Sequence, residues 1–188
     1  MKEFITPRLK LSSDFSFFLN NIKELSRKHL EEKLLKSCIL DNIKNIIDQD
    51  AFLEDVQLMN SGNYVFLGGD NHLMCMLLNC PLGYVGGIHD HATWAISSVI
   101  HGSLAHDFYI YDHNGCVYEK TITLERGETL MLESDAIHRI RNSHDNQQVW
   151  ALHVYGLDLR TVYRYQYKQG SSMKEQCPNS ILIDVEWS

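Results

Sequence analysis

A chain of 188 residues is long enough to bury a substantial core and points to one domain spanning 1–188. Its 17 Lys and Arg against 24 Asp and Glu leave a formal charge of −7, a field that repels phosphate backbones and anionic headgroups and so argues against nucleic acid or membrane partners. No apolar run approaches the ~20 residues that cross a bilayer, and the start MKEFITPRLKLSSDF has no apolar signal core, so a soluble, cytoplasmic protein is expected.

From Asp14 to about Asp48, apolar residues such as Phe18, Ile22, Leu25, Leu34, Ile39, Ile43 and Ile47 recur every three or four positions. Without Pro or Gly between them, they predict helix, capped by Ser12, Ser13 or Asp14 and broken near Ser26 or Ser37. The helical segment is therefore 1–50. After Asp50, short runs of Val, Ile, Leu, Tyr and Phe alternate with turn clusters at 60–63, 68–71 and 112–115. Strands are predicted at 63–67, 72–79, 84–89, 94–101, 103–111, 116–124, 128–133, 137–142, 147–155 and 180–187. Residues 168–179 read as a loop. So many short strands with no helix between them make 51–188 an antiparallel sandwich or barrel.

Five cysteines at irregular spacing form no C-x-x-C pair, and reduced, buried thiols are expected. Ten histidines stand out more, since imidazole is the commonest protein ligand for transition metals. On a strand, His89 and His91 point to one face because the side-chain period is two. A third candidate, His138, lies in the strand over 137–142. Three neutral imidazoles hold a divalent metal while leaving positions open to reactants. His29, His72, His113 and His144 read as isolated surface or hydrogen-bonded residues. His101 and His106 flank the turn at Gly102 and are placed outside the site.

In order along the chain, Gly83, His89-Asp90-His91, Gly102, Gly127 and His138-Arg139-Ile140-Arg141-Asn142 resemble the two motifs of the cupin fold. The resemblance implies a mainly β protein, a cupin barrel (double-stranded β-helix or jelly roll) with N-terminal α-helices. Many cupins add a carboxylate ligand about four positions after the histidine pair. None stands there here, so a three-histidine site is implied. Within the cupins, His-Asp-His-Ala-Thr-Trp-Ala and Ala151-Leu152-His153-Val154-Tyr155-Gly156 are similar to segments of the cysteine dioxygenase family, most closely the bacterial 3-mercaptopropionate dioxygenases. This similarity covers roughly residues 64 to 165.

What the resemblance implies is an oxidoreductase: a non-haem Fe(II) thiol dioxygenase that adds O2 to the sulfur of a small thiol acid, giving a sulfinate. Its iron ligands would be His89, His91 and His138. His153 and Tyr155 would form the catalytic pair beside the iron, with Ala151 standing where the family carries a serine that orients the histidine. That loss predicts a looser surround for His153. No cysteine follows the histidine pair, so the thioether crosslink of the animal enzymes cannot form by that route. Arg164, nine residues after Tyr155, would grip the substrate carboxylate, and Tyr64 and Phe66 match the strand whose Arg or Gln contacts substrate in the family. Phe66 cannot hydrogen-bond a carboxylate, which points to a bulkier or less polar thiol. Trp94 is expected beside the metal pocket; Arg126 and Arg139 are expected to cap turns or face solvent. The alternatives are a Zn- or Mn-dependent isomerase, a dioxygenase acting on carbon, or a ligand-binding cupin without catalysis.

Overall fold

The computed structural model describes residues 12–47, 49–58, 64–70, 72–113, 115–144 and 146–177. The strand expected over 180–187, the turn at 60–63 and the first eleven residues lie outside them.

The predicted helical segment forms α1 (Ser13–Arg27) and α2 (Glu32–Lys44), and a third helix, α3 (Asp50–Leu58), extends it beyond the expected boundary at 50. Ser12 caps α1, its hydroxyl accepting from the Phe15 amide, while its own amide donates to the Asp55 carboxylate at 2.8 Å and ties α1 to α3. The break falls after Arg27, close to Ser26; Ser37 stays inside α2. Phe52 and Val56, four apart on α3, are fully buried, with the Phe52 ring edge-on to Phe15 at 4.8 Å.

Eleven strands follow: β1 (Tyr64–Gly69), β2 (Met74–Cys80), β3 (Ile88–His89), β4 (Ala95–His101), β5 (Ser103–Asp112), β6 (Gly115–Glu125), β7 (Thr129–Leu132), β8 (Ile137–Asn142), β9 (Val149–Tyr155), β10 (Tyr165–Tyr167) and β11 (Lys174–Gln176). Their order is β1-β2-β9-β4-β7 in one sheet and β11-β10-β3-β8-β5-β6 in the other. From β2 to β9 the chain crosses back and forth between two antiparallel four-stranded cores, which is the double-stranded β-helix of a cupin. β11 lies in the stretch 168–179 that reads as loop; its exposed, polar residues carry no period to betray a strand, and pairing with β10, which itself pairs with β3, supplies the order.

Strand parity then sorts side chains between two environments. On β2 and β9, Cys75, Leu77, Trp150, Leu152 and Val154 face the helices and join one large cluster with Phe15, Ile22, Ile39 and Phe52. Their neighbours Met76, Leu78, Ala151, His153 and Tyr155 face the barrel. This double burial explains why β2 and β9 are buried at every position and read as unbroken apolar runs. Trp94 falls on the helix side with Ile96 and Ile100, capped by the Lys36 ammonium at 5.4 Å from its ring, and does not line the metal pocket as expected.

Gly156, just after β9, lies against Trp94 and donates its amide to the Trp94 carbonyl at 3.1 Å. A Cβ here would collide with the indole nitrogen and meet Thr93 Oγ1 at 2.8 Å. Gly156→Ala is therefore expected to destabilise the protein by ~1–3 kcal/mol, the usual range for overpacking. Chemical denaturation checks this, and an unchanged midpoint would contradict it.

Candidate metal centre

His89 sits on β3 directly opposite His138 on β8, and β8 pairs in turn with β5, placing His138 opposite Phe108. His91 follows β3 and is turned inward by a tight bend at Ala92, whose φ of 55° lies in the left-handed region that side chains other than glycine avoid. Relieving that bend by Ala92→Gly is expected to raise stability by about 1 kcal/mol or less, read as an upward shift in the urea midpoint. A downward shift would show that the bend is not strained.

The three imidazoles converge through Nε2. His89 Nε2 lies 3.0 Å from His91 Nε2, and His138 Nε2 lies 3.4 Å from the same atom. One ligand atom from each of the three residues falls within 4.8 Å of the others, and among the described residues no other such group of His, Cys, Asp or Glu is found. Two imidazole nitrogens each ~2.1 Å from a shared ion, at angles between a right angle and the tetrahedral value, stand roughly 3.0–3.4 Å apart, and the His89–His91 and His91–His138 separations match that spacing. The His89 Nδ1 atom faces the Gly87 carbonyl at 2.9 Å, which holds the proton on Nδ1 and leaves Nε2 free to ligate. No carboxylate joins the cluster.

Burial lowers the pKa of all three ligands. Neighbouring imidazoles lower His91 and His138 further, and the Arg164 charge adds to the effect on His89 and His91. Burial likewise brings His106 down to about 4 and His153 to about 3. All five are neutral near pH 7, the form a metal requires. Between these folded values and the unfolded 6.5, the unfolded chain binds more protons, so acid favours unfolding. Each buried imidazole adds a slope of up to ~1.4 kcal/mol per pH unit. The metal-free protein should thus lose stability steadily from pH 6.5 to pH 5, before its carboxylates titrate. Urea midpoints that stay flat over this window would contradict the buried, neutral assignment.

Beside the imidazoles lies a cavity of about 140 Å³, walled by Met76, Leu78, Ile140 and Leu159 and lined by the polar groups of Tyr64, Tyr84, Tyr155, Arg164 and Gln166. The Tyr155 ring stands 4.9 Å from that of His91, and its hydroxyl pairs with His153 Nδ1 at 3.1 Å. Burial raises the Tyr155 pKa, so the phenol keeps its proton. Arg164 reaches the cavity from the segment before β10, and its Nε is buried without a hydrogen-bond partner. An unpaired buried guanidinium nitrogen is costly, and an anion is its natural complement. Asp90, between two of the convergent histidines, anchors that segment. Its carboxylate accepts from the Tyr165 amide at 2.9 Å and from the Tyr167 hydroxyl at 2.7 Å.

Other expected residues are placed elsewhere. Tyr64 lines the cavity, its hydroxyl 2.7 Å from that of Tyr84, but Phe66 does not. Phe66 packs behind the wall with Met74, Tyr155 and Leu159, and the Arg160 guanidinium covers its ring at 4.4 Å. Arg139 and Arg141 have the opposite parity to His138 and clamp the buried Asp107 carboxylate, while Arg126 reaches Asp50. The looser surround predicted for His153 is not found. Ser97 on β4, in register with His153, brings its Oγ to 3.2 Å from His153 Nε2, supplying the hydroxyl that Ala151 lacks. The sequence reading also missed His106, fully buried with Nδ1 3.1 Å from His138 Nδ1, and the cavity residues Tyr84 and Gln166.

The chain is similar in fold to several solved structures. A cupin superfamily protein from Desulfitobacterium hafniense is 15% identical over 53% of this chain and 80% of its own, with a TM-score of 0.41. An uncharacterized conserved protein with a double-stranded β-helix domain from Klebsiella pneumoniae is 14% identical over 58% and 89%, with a TM-score of 0.45. The DMSP lyase DddQ from Ruegeria pomeroyi is 18% identical, with 56% of this chain covered and a TM-score of 0.43; the match spans about half of the lyase, 52%. These likenesses concern the fold alone. No protein-family model and no curated protein matches the chain. Among the described residues no helix is long and apolar enough to cross a membrane.

Proposed function

We propose that this cupin is a non-haem Fe(II) thiol dioxygenase acting on a small thiol that carries a carboxylate. The observation that carries the reading is one small cavity holding three convergent imidazole Nε2 atoms, a protonated phenol and a buried guanidinium nitrogen without a partner. Held by His89, His91 and His138, ferrous iron would keep the substrate thiol ionised and bring O2 beside it. The net change is RSH + O2 → RSO2⁻ + H⁺, in which sulfur is oxidised and both oxygen atoms enter the product.

The chain's own residues supply the rest. Arg164 binds the carboxylate and thereby sets how far the sulfur reaches toward the histidines. Tyr155 Oη donates a hydrogen bond to negative charge developing on the sulfinate oxygens, and the Met76, Leu78 and Ile140 side chains exclude water. With Phe66 behind the wall, Tyr64, Tyr84 and Gln166 are the groups that meet the far end of the substrate.

The test is anaerobic loading with Fe(II), followed by O2 uptake and product mass measured with cysteine, 3-mercaptopropionate and cysteamine. One O2 consumed per sulfinate is expected, with cysteamine, which lacks the carboxylate, the poorest of the three. Iron-loaded protein that consumes no O2 with any thiol would overturn the reading.

A further inference from the structure

Four hydrogen bonds among five buried residues link a convergent histidine to the cavity tyrosine. His138 Nδ1 lies 3.1 Å from His106 Nδ1; His106 Nε2 lies 3.1 Å from Ser97 Oγ; Ser97 Oγ lies 3.2 Å from His153 Nε2; and His153 Nδ1 lies 3.1 Å from Tyr155 Oη. The His106 and His138 rings lie within 8° of parallel with centroids 5.2 Å apart, so the contact between their Nδ1 atoms joins two stacked, closely packed imidazoles. All five residues are no more than 5% exposed, so water does not compete.

A neutral imidazole carries one proton, so every link must have a donor and an acceptor. An arrangement in which Ser97 accepts from both His106 and His153 would leave its own fully buried O–H without an acceptor, so two polarities keep every group in the row paired. In one, Tyr155 donates to His153 and each bond runs toward His138, whose proton then sits on Nε2. In the other, His138 Nδ1 donates to His106, His106 Nε2 to Ser97, Ser97 to His153 Nε2, and His153 Nδ1 to Tyr155. Only the second leaves His138 Nε2 bare and the Tyr155 O–H free to point into the cavity.

We infer that His106 and Ser97 are positioning residues through which occupancy of His138 Nε2 by a metal is transmitted to Tyr155, turning its hydroxyl into a donor toward the substrate. The inference rests on the metal-site reading above. Each ring keeps a single proton throughout; only its position differs. The arrangement couples a filled centre to a correctly oriented phenol, while in the metal-free chain the two polarities compete.

The test uses ¹⁵N-labelled protein with Zn(II) as a diamagnetic probe, reading histidine tautomers from two-bond ¹H–¹⁵N correlation spectra, with zinc binding followed by calorimetry on the same samples. Zinc should move the His106 proton wholly to Nε2 and the His153 proton wholly to Nδ1. In Ser97→Ala, zinc should still bind and His106 still respond, but His153 should show both tautomers; Ser97→Thr should restore the wild-type pattern. Zinc-loaded wild type with the His153 proton on Nε2, or a His153 in Ser97→Ala that still follows zinc completely, would overturn the inference. Should Ser97→Ala not fold, the wild-type spectra alone decide. Absence of zinc binding by calorimetry would instead sink the metal-site reading, and this inference with it.

Discussion

Replacing His91 with alanine is expected to abolish tight metal binding while leaving the fold intact. The ring is buried, lies within 3.4 Å of both other ligand nitrogens, and makes no hydrogen bond through Nδ1. Its place in the core is therefore poorly compensated without a metal, a cost typical of functional sites. Metal affinity should fall by more than the ~10–100-fold that losing an outer partner of a metal ligand costs. The metal-free variant should unfold no more readily than the metal-free wild type. Thermal melts with and without added divalent metal separate the two effects, because a metal that binds only the folded state raises the midpoint with concentration. A His91→Ala protein whose midpoint still rises with metal as the wild type's does would remove His91 from the centre.

The second large effect is expected at Arg164. Its Nε is buried and unpaired, and the backbone that carries it is tied down through its carbonyl, which accepts from the Cys177 amide at 2.9 Å. Losing a charge-assisted contact to a carboxylate costs ~3 kcal/mol, or roughly 100-fold. Arg164→Met should lower kcat/KM for 3-mercaptopropionate by about that factor, largely through KM, and leave turnover of cysteamine unchanged within a few-fold. Equal losses for both thiols would mean that Arg164 supports the cavity without reading the carboxylate.

Much of this arrangement was legible in the chain. His89 and His91 do converge, although β3 ends at His89 and His91 lies beyond it, and the strand expected at 137–142, which carries His138, matches β8 at both ends. The double-sheet fold followed from many short strands and the order of two motifs. The errors have physical causes. The nine residues of α3 span too few turns for a helical period to stand out, and its docking, with Phe52 edge-on to Phe15, adds stability that the local sequence does not advertise. The Gly102 turn close to His106 argues, on sequence alone, against a place in the site. The alternation of His106 with Leu104 and Phe108 on β5 was the available signal, and it placed the ring inward. Ser97 left no such trace, because it meets His153 through the pairing of β4 with β9, a register across 56 positions that no local spacing encodes. Local sequence does not decide the side of Trp94, because the strand after the bend at Ala92 points alternate residues at two buried faces and an apolar ring suits either.

X-ray absorption of the Fe(II)-loaded wild-type protein tests the centre most directly. Three nitrogen scatterers near 2.1 Å with the outer-shell pattern of imidazole are expected, together with a sulfur neighbour that appears only when 3-mercaptopropionate is added. A spectrum made up of oxygen ligands, with no imidazole pattern and no sulfur on addition of the thiol, would contradict the account.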